Sequence, residues 1–189
     1  IWGRVPELPE VETIRRQLRT EIVSQTVLRA GSHQSQKFLP ARKTRGRRFI
    51  GLSRRGKYLI GEFDNETELI IHLGMTGQLL IDKNEKFSKN LDQYCRAWWS
   101  LANGKTVVFR DVRRFGRIAV VGKGDYSQIP TLRDMGPEPF SDGLTGNDVW
   151  LRTKGRKSRI KTQLLSQRLI AGVGNIYADE ALFLARINP

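Results

Sequence analysis

The chain has 189 residues, enough for one or two domains with a sizeable core. Its 33 Lys and Arg against 19 Asp and Glu give a formal net charge of +14, which favours a polyanionic partner, nucleic acid first and an anionic membrane surface second. No apolar run reaches the length of a membrane span, no signal-peptide pattern occurs, and the single cysteine, Cys95, excludes an internal disulfide and a cysteine-based zinc site within this sequence. A cytoplasmic or nucleoid location follows as the default.

The first predicted element is a helix over about 9–24, with Val11, Ile14, Leu18 and Ile22 on one face and Glu10 and Glu12 well placed in the first turn. The run Pro6-Glu7-Leu8-Pro9-Glu10-Val11-Glu12 that opens it has two readings. It is an ordinary helix start, or it sets an amine nucleophile, Pro6, beside an acid, Glu7. From about 26 to 122 the pattern changes to short strands, at 26–30, 47–53, 58–64, 68–72, 77–82, 95–102, 106–110 and 116–121. Asn103-Gly104 is a hairpin signal between two of them, and the spacing predicts a β-sandwich or barrel. Residues 123–144 read as a loop-rich linker with Pro130, Pro137 and Pro139, and helices follow at 146–153, 160–170 and 175–186. The plan is an α+β protein: a β-rich domain over 6–122, a linker over 123–144 and a helical domain over 145–189 that ends early.

Several groups carry chemistry. In the last helical pair, Ile160, Leu164, Leu165 and Leu169, then Ala178, Ala181, Leu182 and Ala185, are expected to face inward. The intervening Ala171-Gly172-Val173-Gly174-Asn175 reads either as a tight helix–helix turn with Asn175 as N-cap, or as a turn whose free backbone N–H groups take a phosphate. The basic stretch of Arg152, Lys154, Arg156, Lys157, Arg159 and Lys161 just upstream favours the second. In Arg110-Asp111-Val112-Arg113-Arg114-Phe115-Gly116, extended backbone would put Arg113 and Phe115 on one side, where an apolar wedge and a guanidinium could enter a base stack together. Met75 could fill the place of a flipped base. The plainer alternatives are core positions for Phe115 and Met75, and an Asp111 ion pair for Arg113. Arg54-Arg55-Gly56-Lys57-Tyr58 is a basic turn, either solvated or carrying Lys57 to a phosphate or sugar. His33 and His72 show no metal-ligand spacing and read as structural.

These segments together resemble the bacterial formamidopyrimidine-DNA glycosylases of the Fpg/Nei family: PELPEVET at 6–13, RRGKYL at 54–59, IHLGMTG at 71–77, RDVRRFG at 110–116, MGPEP at 135–139 and IKTQLLSQRLIAGVGNIYADEALF at 160–183. The PELPE start and the Met, Arg-x-Phe wedge are similar to the Fpg branch rather than the Nei branch, which favours oxidised pyrimidines. The resemblance implies a β-sandwich flanked by helices, then a helix–two-turn–helix domain. It implies a monomeric, bifunctional enzyme that excises oxidised purines such as 8-oxoguanine from duplex DNA and cuts the strand at the abasic site. On this sequence it implies Pro6 as nucleophile, Glu7 as acid/base, Glu10 lining the same pocket and Lys57 at the damaged nucleotide. Met75, Arg113 and Phe115 become the intercalating trio, and Arg156, Lys161 and Asn175 phosphate contacts.

The sequence departs from the family pattern in three respects. Pro6 is not N-terminal, and in an amide bond to Val5 its nitrogen cannot attack, so Val5 is expected to be the true start and residues 1–4 upstream readthrough. The family's C-terminal four-cysteine zinc finger and base-capping loop do not occur, so the chain is expected to be C-terminally truncated, without a zinc cofactor of its own, and a weak DNA binder. Val112 stands where many members have Pro, and Tyr94 where some have a DNA-contacting His. A non-catalytic module for damaged DNA is the alternative from a different class.

Overall fold

The computed structural model describes residues 5–82 and 92–189. The chain separates into two compact units, one running to Arg54 and continuing over Tyr58–Asp125, the other made of Arg55–Lys57 and Tyr126–Pro189.

The first unit opens with α1, Leu8–Ile22. Glu7 is its N-cap, in extended backbone, and Glu7 and Glu10 form a reciprocal capping box, with the Glu10 carboxylate accepting the Glu7 N–H at 3.0 Å. Leu8, Val11, Leu18 and Ile22 are buried and Ile14 packs beside them. The helix stops two residues before the predicted end because Val23 turns extended and Ser24 takes a left-handed φ of 68°.

Eight strands follow among the described residues: β1 Val27–Ser32, β2 Phe49–Arg55, β3 Tyr58–Phe63, β4 Thr67–His72, β5 Gly77–Asp82, β6 Cys95–Leu101, β7 Thr106–Asp111 and β8 Arg117–Gly122. They form two four-stranded sheets, in the orders β1-β6-β7-β5 and β2-β3-β4-β8. The Asn103-Gly104 hairpin joins β6 to β7, with the Asn103 side-chain oxygen accepting the Lys105 N–H at 3.1 Å. Of the sandwich and the barrel that strand spacing left open, the sandwich is present, its core made of residues from both sheets, α1 and the segment around Phe38, including the fully buried Phe38, Leu59, Trp99 and Phe109. Phe38 meets Phe109 edge to face at 5.9 Å between ring centroids. It introduces a 3-10 helix, Leu39–Thr44, that the strand-period reading passed over because six residues are too few to show a helical repeat.

Cys95 is a free thiol, raised to about 11 mainly by burial. His33 and His72 are structural, each Nδ1 accepting the backbone N–H two residues on, at 3.2 and 3.1 Å.

Glu12 on α1 binds three arginines: Arg15 at 2.7 Å, Arg16 at 2.8 Å and Arg54 at 3.1 Å. The Arg15 hydrogen bonds lead in holding its carboxyl at about 2, against an ordinary 4.5, with Arg16 and Arg54 adding to them and partial burial opposing. A depressed carboxylate contributes stability that is fully present above about 4.5 and is lost as pH falls towards about 2. E12Q is therefore expected to lower the melting temperature at neutral pH, and the gap from the parent chain should close between those two values. A gap that stayed constant down to the lower value, in paired thermal melts, would rule the network out as a stabiliser.

The second unit contains α2 Pro130–Arg133, α3 Gly146–Thr153, α4 Ile160–Leu165 and α5 Asn175–Leu184. Helix α2 lies within the stretch predicted to be all linker. Met135, Gly136, Glu138 and Asp142 of that stretch are also structured, against Arg55 and Gly56. Arg55 donates to the Gly136 carbonyl at 2.7 Å and to Asp142 at 3.1 Å, and Glu138 accepts the Gly56 N–H at 2.6 Å. Gly56 has φ of +54°, and a Cβ there would lie 2.6 Å from the Met135 sulfur, so the turn requires glycine.

Helix α4 ends at Leu165, five residues before the predicted limit. Ser166 turns its hydroxyl onto the Gln163 carbonyl at 2.6 Å, and Gln167 goes left-handed at φ 63°. The unit's core holds Leu164, Leu169, Ala178 and Leu182, with Ile160 and Leu165 at its edge. Ala181 and Ala185, predicted to face inward, are exposed, because Ala178 and Leu182 already fill the inward stripe of α5. No helix among the described residues is long and apolar enough to cross a membrane.

Candidate active site

Pro6 precedes the N-cap of α1 and lines an open groove of about 540 Å³ on the first unit. Glu10, Thr13, Ile14 and Gln17 of α1 form one wall, and Met75 to Leu80, Arg110, Val112 and Arg113 the other. The run of Pro6 and Pro9 around a capping box explains the placement: two prolines hold the entering chain rigid, and the cap fixes where the helix begins. Glu7 is 1% exposed and is not among the residues that line the groove, whereas Glu10 is. Gln78 also lines it, and its buried side-chain oxygen has no hydrogen-bond partner among the described residues.

Met75 and Phe115 are not core residues. They are 40% and 48% exposed. Met75 lies in the turn between β4 and β5, and Phe115 in the loop between β7 and β8. Arg113 and Phe115 come together by a different route from the extended backbone predicted for them. Residues 112–116 leave the strand, Arg114 adopts φ 56°, and the Arg113 guanidinium stacks 4.6 Å above the Phe115 ring. Among the described residues Arg113 makes no ion pair with Asp111, which is buried and bonded to Thr76 and Gly116 instead. Tyr94 is half-buried, with the Arg110 guanidinium 4.8 Å from its ring centroid and Arg110 paired with Asp92.

The first unit thus gathers Pro6, Glu10, Met75 and Arg113 around one groove. Lys57, Arg156, Lys161 and Asn175 belong to the second unit. There Lys57 is half-buried and Arg156 exposed. Lys161 is already engaged, in an ion pair with Asp179 at 2.6 Å. Asn175 is the first helical residue of α5, and Gly174 takes the N-cap position assigned to it. The glycine turn is less open than predicted. The Gly172 N–H is accepted by the Gln167 side chain at 2.9 Å, and that side chain also donates to the Val173 carbonyl at 2.6 Å.

No cluster of His, Cys, Asp and Glu that could hold a metal occurs among the described residues. One cysteine and two histidines do not fit a four-cysteine zinc site, and no chemistry here is routed through zinc.

An antiparallel sandwich whose first helix starts on a groove, followed by a helical unit with a glycine-rich double turn, defines an α+β protein of the β-sandwich and helix–two-turn–helix class. Residues 5–118 match the formamidopyrimidine-DNA glycosylase N-terminal domain, and residues 135–189 match the H2TH domain of the same enzymes. The chain belongs to the formamidopyrimidine-DNA glycosylase family. It is 40% identical over 185 residues to a formamidopyrimidine-DNA glycosylase of Thermus thermophilus, covering 98% of this chain and 66% of that protein. The Deinococcus radiodurans relative is 38% identical, again with 98% and 66% covered, so the chain spans just under two thirds of these relatives' length. The crystal structure of the Thermus thermophilus MutM (Fpg) protein superposes with a TM-score of 0.87 at 42% identity, covering 97% of this chain and 66% of that one. A Lactococcus lactis formamidopyrimidine-DNA glycosylase bound to DNA containing an abasic site gives 0.86 at 33% identity, with 97% and 71% covered.

Proposed function

We propose that the protein is a DNA repair glycosylase and abasic-site lyase that removes oxidised purines from duplex DNA. The observation that carries this reading is the shared groove, in which Pro6 and Glu10 lie with Met75 and Arg113, and Phe115 is stacked on Arg113. A nucleophile, an acidic wall and an apolar wedge next to a cation are the parts needed to extrude a nucleotide and act on its sugar.

In this reading the Pro6 nitrogen, as a free secondary amine, attacks C1′ of the extruded nucleotide. The bond from C1′ to the base breaks, and the base leaves with a proton. The amine proton is lost, the nitrogen lone pair closes a C1′=N bond as the C1′–O4′ bond breaks, and O4′ takes a proton. The resulting iminium carries a fixed positive charge and accepts electrons as a C2′ proton departs and the C3′–O bond breaks. Loss of a further proton breaks the C5′–O bond, and both phosphates remain on the DNA ends. Glu7 moves protons at the sugar and its charge stabilises the iminium. Lys57 serves the elimination steps. Met75, Arg113 and Phe115 occupy the gap left in the stack, and Tyr94, Arg156, Lys161 and Asn175 hold phosphates. The protein works as a monomer in the bacterial cytoplasm, associated with the nucleoid.

Relatives support the lesion class. A MutM structure was solved with DNA containing carbocyclic 8-oxo-G, and a Lactococcus lactis one with Fapy-dG. A second specificity has one observation in its favour, since the Lactococcus lactis enzyme was also crystallised with oxidised-pyrimidine DNA. Single-turnover kinetics on duplexes carrying 8-oxoguanine, formamidopyrimidine, an oxidised pyrimidine or undamaged guanine test the reading. Faster release of the two purine lesions, ending in a one-nucleotide gap, is expected. A pyrimidine preference would replace the purine assignment, and damage-selective binding without strand cleavage would make the protein a binding module.

A further inference from the structure

Two loops carry the wedge, and what joins them is a buried carboxylate outside the groove lining. Asp111, at the end of β7, is fully buried. One carboxylate oxygen accepts the Thr76 hydroxyl at 2.5 Å, and the other accepts the Gly116 N–H at 2.7 Å. Thr76 follows Met75, and its hydroxyl in turn accepts the Arg113 N–H at 3.1 Å. A single side chain therefore ties the Met75 turn to both ends of the loop holding Arg113 and Phe115. The loops also touch at Gly74, where φ is +66° and a Cβ would stand 2.6 Å from the Phe115 carbonyl carbon. The carboxylate has a nearby cation in Arg96, itself 2% exposed, whose guanidinium donates to the Asp111 carbonyl at 2.7 Å.

We infer that Asp111, acting through Thr76, is a positioning residue that sets the separation of Met75 from the Arg113–Phe115 pair and so holds the wedge ready before DNA arrives. The inference rests on the wedge role given above. Unstacking a base step costs a few kcal/mol, and a wedge on loops that still have to be ordered would add that cost to it. Both oxygens of Asp111 are used as acceptors, so an alanine in its place releases Thr76 and Gly116 alike.

The test uses a duplex with a tetrahydrofuran abasic analogue and 2-aminopurine beside it, whose fluorescence rises when its stacking is broken. The unaltered chain is expected to raise the signal and F115A to lose the rise. T76V is expected to lose most of the rise and about tenfold in affinity, the worth of one charge-assisted hydrogen bond. T76S should restore both, and D111A should behave as T76V does. A full rise with T76V, or a loss shared by T76S, would overturn the positioning role while leaving the wedge intact. No rise with the unaltered chain at protein concentrations that saturate binding, or an undiminished rise with F115A, would remove the wedge role itself.

Discussion

A chain that begins at Pro6, mixed under borohydride with a duplex carrying an abasic site, is expected to become covalently attached to the DNA, whereas the chain in which Pro6 follows Val5 is expected not to. The difference is chemical. A proline nitrogen within a peptide bond shares its lone pair with the carbonyl and has no hydrogen to lose, so it cannot add to an aldehyde carbon. A free N-terminal proline is a secondary amine, and its adduct is an iminium that borohydride reduces to a stable amine. The geometry favours this nitrogen over others, since Pro6 lines the groove of about 540 Å³ while the rigid start of α1 fixes its position. Acetylating the Pro6 amine should abolish the cross-link, and the products are read on a denaturing gel. Equal cross-linking by both chains would move the nucleophile to a lysine, with Lys57 the first to replace.

The fold was legible where local chemistry decides it. Val11, Leu18 and Ile22 mark one helix face, Asn103-Gly104 marks a hairpin, and the β-branched and aromatic run in Thr106–Asp111 marks a strand, and each needs only a few neighbouring residues. The α4 limit was misjudged because Gln167 leaves the helix to bond Val173 and Gly172, a choice that the apolar run through Ile170 conceals. The same contact takes the Gly172 N–H that the glycine pattern had suggested for an anion. Phe115 and Met75 could be named from sequence, but whether they were core or surface turned on their exposure, which no periodicity in a loop reveals. Asp111 lay inside a recognised motif and was weighed only as a partner for Arg113. Its actual partner, Thr76, is 35 residues away, and only the pairing of β5 with β7 brings the two loops together.

Glu7 is the residue whose replacement should separate chemistry from binding most cleanly. It is buried, adjoins Pro6, and its carboxylate caps the first turn of α1, where the helix's positive end favours an anion. In E7Q the amide keeps one carbonyl oxygen to accept the first-turn N–H, so the loss in fold stability should stay near about 1 kcal/mol. Proton transfer at the sugar is lost altogether, because an amide neither takes nor gives a proton at working pH. Base excision in single turnover is therefore expected to fall by about 10²–10⁴-fold, while affinity for a duplex with an abasic analogue stays within a few-fold. The measurement pairs excision rates with thermal melts and binding isotherms on the Pro6-starting chain. Excision preserved within tenfold would strip Glu7 of its acid/base role and leave it a helix cap. A large fall in melting temperature, with binding lost in parallel, would show that capping is the part of Glu7 the molecule depends on. The expected pattern, rate lost with fold and binding kept, is one that a cap alone cannot produce, because a cap acts on all three together.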